Sequence, residues 1–172
     1  MYRDILIQAL WFIFLVVLQV FILNQMLQFN LLNPFVYPLF ILLLPVNTPF
    51  WLVFSLCFVL GISVDLLEFT SGIHAAATVL MGFVRIWFLK ASLNKENFEK
   101  NISPSIRNKG LAWFAIYAFI LLLVHHTFLY FLEVFTFGEF LFTLLKTILS
   151  AILSLFLIVL LEYLFLPLGK NN

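Results

Sequence analysis

The sequence predicts an all-α integral membrane protein of six transmembrane helices, the second short and kinked by proline. Three observations predict it. The 172 residues are 65% hydrophobic and 10% charged, with a mean hydropathy of +1.15, whereas a soluble domain holds roughly 45–50% apolar and about 25% charged residues. The apolar residues gather into runs near the ~20 residues a helix needs to span a bilayer. The basic residues gather in one loop, as they do in cytoplasmic connections. The runs fall at about 5–23, 31–44, 50–67, 73–90, 111–132 and 139–166 of a single membrane domain, 1–172, with the basic loop at 91–110.

The first run follows Arg3 and Asp4, as an apolar stretch follows the charged start of a signal peptide. It is longer than such a stretch and has no small-residue cleavage site after it, so it reads as an uncleaved first helix. Gln8 and Gln19 interrupt it, and amides inside lipid bond a neighbouring helix. The second run is the difficult one. From Pro34 to Leu44 it has too few residues for a perpendicular helix, with Pro38 inside and Pro45 at its end. It is either a short kinked span drawn back through Leu31 or a re-entrant hairpin. Pro45 to Pro49 then form a turn into the third run, which carries Gly61 and Asp65. A short polar turn, Glu68 to Gly72, leads to the fourth run, with Ala75, Thr78, Gly82 and Arg85 on one helical face. Glycine and alanine at that spacing make a close-packing face in a membrane helix.

Charge decides the second run. The 91–110 loop and its border hold Lys90, Lys95, Lys100, Arg107 and Lys109 against Glu96 and Glu99. With six spans and both termini inside, Arg3, this loop and Lys170 share the cytoplasmic side, and the outer connections contain no Lys or Arg. With five spans the loop and one terminus fall on opposite sides, against the positive-inside rule.

Depth then groups the polar residues. Asp65 lies about 22 Å along the third helix at 1.5 Å per residue, near its outer end. Glu68 and His74 flank the same turn, and Lys146, roughly 9–12 Å below the outer surface, reaches up towards them. Asp65, Glu68, His74 and Lys146 therefore form a candidate polar centre, because intramembrane charges seek partners. Three readings stand: a charge pair locking two helices with Asp65 capping the turn, a partner or ligand site, and proton coupling. Arg85 is expected to run inward to the headgroups or to Glu162. His125 and His126 point about 100° apart on a helix, which disfavours a shared metal. Cys57 is alone and apolar-flanked, a small core residue. Most of the 23 Phe read as lipid contacts. Net charge +1 argues against a nucleic-acid partner. No phosphate-binding glycine loop, nucleophile elbow or H-E-x-x-H helix occurs, so a non-enzymatic role is expected, without a cofactor or metal.

With these residues in view, the chain resembles the bacterial rod shape-determining protein MreD family. Pro38, the LLLP ending at Pro45, the G-x-x-x-D of Gly61 and Asp65, and the S-G-I-H-A-A-A-T of Ser71 to Thr78 carry the likeness over roughly a third of the chain. The resemblance implies a subunit of the cell-elongation complex in the bacterial inner membrane, with an architecture like that of the substrate-binding subunits of energy-coupling-factor transporters. Its implied partners are an MreC-like single-span protein, a RodA-type glycosyltransferase with its transpeptidase, the MreB filament directly or indirectly, and membrane lipids. The packing face of Gly61, Gly72, Ala75, Thr78, Gly82 and Arg85 would receive partner helices. A vitamin-binding transport subunit is the alternative. Against it, Ala9 stands without a second small residue four positions away on the first helix.

Overall fold

The computed structural model describes residues 2–26, 32–94, 102–134 and 140–165. Outside them lie residue 31 of the second expected helix, the loop residues Lys95, Glu96, Glu99 and Lys100, residues 139 and 166 at the ends of the sixth, and Lys170. The molecule is all-helical: α1 (Tyr2–Val17), α2 (Leu39–Leu42), α3 (Phe50–Glu68), α4 (Ile73–Ser92), α5 (Ile106–Lys109), α6 (Leu111–Val134) and α7 (Phe140–Phe165). Among the described residues five helices are long and apolar enough to cross a membrane: Leu6–Leu23, α3, α4, α6 and α7. Large apolar side chains such as Phe21, Phe58, Trp87, Leu141 and Phe156 stand on the outside. A soluble monomer rarely exposes so much apolar surface. This is the architecture of a multi-pass membrane protein.

The second expected helix differs. Only Leu39–Leu42 of it is α-helical, and residues 33–36 carry no regular structure. The segment nevertheless runs deep inside the bundle, with Phe35, Val36, Tyr37, Leu39, Ile41 and Leu42 buried. The Asn33 carbonyl accepts from Tyr130 at 2.7 Å and the Leu42 carbonyl from Tyr117 at 3.0 Å. Those tyrosines stand about 20 Å apart along α6 at 1.5 Å per residue. A helix of 11 residues rises only ~16 Å; chain that starts without helix goes further. The segment thus runs from near the α3–α4 turn (the turn end of the bundle) to the end where Val46 N–H bonds the Ile102 carbonyl at 3.0 Å (the loop end).

Backbone outside a helix is tolerated at such depth only where protein satisfies it. Asn33 N–H donates to Ser150 Oγ at 3.1 Å, Phe35 N–H to Ser154 Oγ at 2.8 Å and Val36 N–H to Gln19 Oε1 at 2.7 Å. Gln19 Nε2 returns a bond to the Pro34 carbonyl at 3.0 Å. Around Gln19 the first helix widens into a π-helical turn, Leu18–Leu23, a distortion common where a helix serves a special site. The prolines mark the corners. Pro38 precedes α2, Pro45 accepts from Thr48 N–H at 3.1 Å in the following turn, and Pro49 caps α3 with an extended ψ of 141°.

The tightest joint is between α3 and α4. A Cβ added at Gly61 would sit 2.6 Å from Ala75 N and 2.7 Å from the His74 carbonyl oxygen, so glycine is required for backbone contact. A Cβ at Gly82 would meet the Cys57 sulfur at 2.5 Å. Gly72 has a different role: φ is +84° with open space around it, and it turns the chain into α4.

Candidate functional site

Asp65 is buried, as a carboxylate near the end of α3 must be if α4 is to start beside it. Its Oδ1 accepts from Thr70 Oγ1 at 2.5 Å and from His74 N–H at 3.1 Å, and its Oδ2 from Ala75 N–H at 2.8 Å. The first N–H groups of a helix lack intrahelical acceptors. Asp65 supplies them from the preceding helix, where no side chain on Gly72 can. Of the readings open for Asp65, the geometry is that of the cap.

Above this cap the polar groups gather. Glu68 lies 3.4 Å from His74 Nε2 and also accepts from Asn24 Nδ2. Tyr37 Oη stands 3.1 Å from His74 Nδ1 and 2.6 Å from His125 Nε2. One assignment of protons serves the whole row. His74 donates from Nε2 to Glu68, Tyr37 donates to His74 Nδ1, and His125 Nε2–H donates to Tyr37. His125 Nδ1, which has no partner, is then a bare lone pair. The reverse assignment would bury an N–H there without an acceptor and set the His74 lone pair against the Glu68 carboxylate, which is costlier. His126 is separate: its Nε2 faces Ser154 Oγ at 3.0 Å and its Nδ1 the Leu122 carbonyl at 2.8 Å. The two adjacent histidines thus bond different partners. Among the described residues no group of three or more His, Cys, Asp or Glu is placed to hold a metal ion.

Glu68, His74 and Lys146 line one cavity of about 470 Å³ at the turn end, together with Asn24, Asn33, Tyr130 and Glu133. The expected polar centre is therefore assembled in three of its four members, and Asp65 is one layer beneath, its oxygens turned to the α4 backbone. Lys146 does not reach Asp65 or Glu68 as expected. Its Nζ is 3.7 Å from Glu133 and 4.5 Å from the centre of the Tyr130 ring. Chemically the cavity offers carboxylates, amide donors and one ammonium that is already partnered.

Sequence reasoning missed a hydroxyl face of α7, from which Ser150 and Ser154 bond the second segment. Thr143, Thr147, Ser150 and Ser154 repeat at spacings of four, three and four along α7 and are all buried. That hydroxyl stripe in an otherwise apolar helix was the available signal for a face turned inward. Tyr37 and Glu133 had no comparable signal.

Two further expectations are corrected. Arg85 does not run to the headgroups or to Glu162. It is buried, with Nε donating to Tyr117 Oη at 3.1 Å and a guanidinium nitrogen donating to the Leu44 carbonyl, because the loop end of the second segment leaves carbonyls there that need donors. The packing face is occupied within the chain: Gly61 meets Ala75, Gly82 meets Cys57, and Thr78 Oγ1 bonds the His74 carbonyl at 2.7 Å. Gly72 stands outside these contacts and, with Ala75, lines an outer groove between α3 and α4.

No family model matches the chain, and neither a curated protein nor a solved structure matches it.

Proposed function

We propose that this chain is a non-enzymatic scaffold subunit of the cell-elongation complex in the bacterial inner membrane, of the MreD type. The observation that carries it is the joint between α3 and α4. The residues of the G-x-x-x-D and S-G-I-H-A-A-A-T stretches, which bear the resemblance, are those that interlock: Gly61 against Ala75, and Asp65 on the N–H groups of His74 and Ala75. Sequence likeness and structural role coincide on a rigid helical hairpin. Beside that joint, on the outer surface of the molecule, runs an apolar groove edged by Phe54, Phe58, Ala76, Val79 and Phe83. A partner helix would lie there, with Ala76 allowing close approach.

In this reading the second segment is a crossing of its own, short because it is partly unwound, and the molecule crosses six times with both termini cytoplasmic. The basic loop and Arg3 then lie on one side, in keeping with the positive-inside rule. The polar cavity faces the side where peptidoglycan is made. Its groove-side partners are an MreC-like protein and a RodA-type synthase, with MreB contacted directly or through them.

The test is depletion in the native host with complementation. Loss of the chain is expected to round the cells. Asp65→Ala is expected to restore shape less well than Glu68→Ala, since Asp65 leaves three donors unpaired. Normal rods on depletion would refute the reading. The polar cavity favours one second reading, a substrate-binding subunit of an energy-coupling-factor vitamin transporter. Under it, depletion abolishes uptake of one vitamin and leaves shape intact.

A further inference from the structure

At the loop end lies a second cavity, of about 630 Å³, between α1, α2, the 103–108 stretch and the end of α7. Trp11, Leu15, Phe40 and Leu161 make its apolar walls, and Arg107 and Asn108 stand on its polar rim. Glu162 marks the boundary between the two. It is 4% exposed, and Oε1 accepts from Ile106 N–H at 2.6 Å. Oε2 is buried with no hydrogen-bond partner. A carboxylate oxygen without a donor in apolar surroundings is expensive. Glu162 lines the cavity, so a ligand entering it can bring the missing donor when the carboxylate turns outward to meet it. Exposed Gln8 and Tyr163 border the cavity, so it reaches the surface that hydrocarbon covers.

We propose that this cavity binds a phospholipid with a primary ammonium headgroup, its ammonium on Glu162 Oε2 and its acyl chain along Trp11 and Leu15. The ligand class follows from the sequence of surfaces: an anionic acceptor, a rim bearing a guanidinium, and an apolar trough. An ethanolamine phospholipid carries ammonium, phosphate and hydrocarbon in the same order. A lysine on a partner helix would bring the ammonium without a hydrocarbon chain to fill the trough of Trp11, Leu15 and Phe40. Selection comes from the N–H donors, which a glycerol headgroup replaces with neutral hydroxyls and a choline headgroup lacks. The inference is independent of the elongation reading.

The full chain, purified from its membrane, would be placed with equal amounts of phosphatidylethanolamine and phosphatidylglycerol, and retained lipids counted by native mass spectrometry. The first bound lipid is expected to favour phosphatidylethanolamine roughly tenfold, the ratio that about one charge-assisted hydrogen bond supplies. Glu162→Gln keeps an acceptor for Ile106 N–H and is expected to bring the ratio to parity. Leu161→Trp, which fills the trough without touching the carboxylate, is expected to remove that bound lipid of either kind. Equal retention by the unaltered protein, or a preference that survives both substitutions, would overturn the proposal. So would a photoreactive group at Phe40 that captures a protein segment instead of lipid in native membranes.

Discussion

Between α3 and α4 the backbones touch: glycine removes the side chain at Gly61, and Asp65 ties the end of one helix to the start of the next. Between α1 and α7 the contact is made by the edges of Trp11, Phe14 and Phe165, with ring centres 5.5–5.8 Å apart. Below those rings a cavity remains open. Both seams are apolar, so hydrophobicity does not distinguish them. In lipid, apolar side chains gain little by leaving one hydrocarbon surface for another, and small residues and hydrogen bonds decide where helices lock. The α3–α4 seam has both. Among the described residues the α1–α7 seam shows neither, and the cavity below it opens towards lipid.

The strongest way to break this contrast is at Asp65. Asp65→Ala leaves two buried backbone N–H groups without an acceptor, at ~1–3 kcal/mol for each, and strands the half-buried Thr70 hydroxyl. A total loss of about 3–5 kcal/mol is expected in reversible unfolding in mixed micelles, allowing for relaxation among neighbouring groups. Asp65→Asn, which retains an acceptor, should lose less. Gly61→Ala comes next. Its Cβ collides with the α4 backbone, and overpacking of that kind costs about 1–3 kcal/mol. Gly82→Ala is expected to cost less than Gly61→Ala, because the Cys57 side chain can turn aside. The smallest effect belongs to the other seam. Trp11→Ala should change stability by less than about 1 kcal/mol, since lipid replaces the lost ring contacts. A Trp11→Ala loss equal to that of Asp65→Ala would erase the distinction.

The difference between the seams also governs what could be read from sequence. The long helices were legible because each apolar run is bounded by a turn or by charge, as at 50–67 against Phe50–Glu68 and 111–132 against Leu111–Val134. Gly61 and Asp65 were legible as a pair because a charged residue is rare in an apolar run and a glycine four residues before it marks a close-packing face. The second segment was legible as a problem of length, but its solution was not. A chain crosses the interior without helix only when Ser150, Ser154, Gln19, Tyr117, Tyr130 and Arg85 arrive from other elements to satisfy it. Those partners are distant in sequence, and no local pattern announces them. The same long-range demand drew Arg85 inward to the Leu44 carbonyl instead of towards Glu162. Lys146 shares the cavity of Glu68 and His74 but pairs with Glu133, at the end of the adjacent helix, which no local pattern announced.

The most direct test of the scaffold role uses the outer edge of the tight seam. Val79 is half-buried beside Ala76 in the groove of α3 and α4. A photoreactive residue in its place, activated in native membranes, is expected to capture an MreC-like protein or a RodA-type synthase. Capture of a transporter's membrane subunit, or of lipid alone, would contradict it.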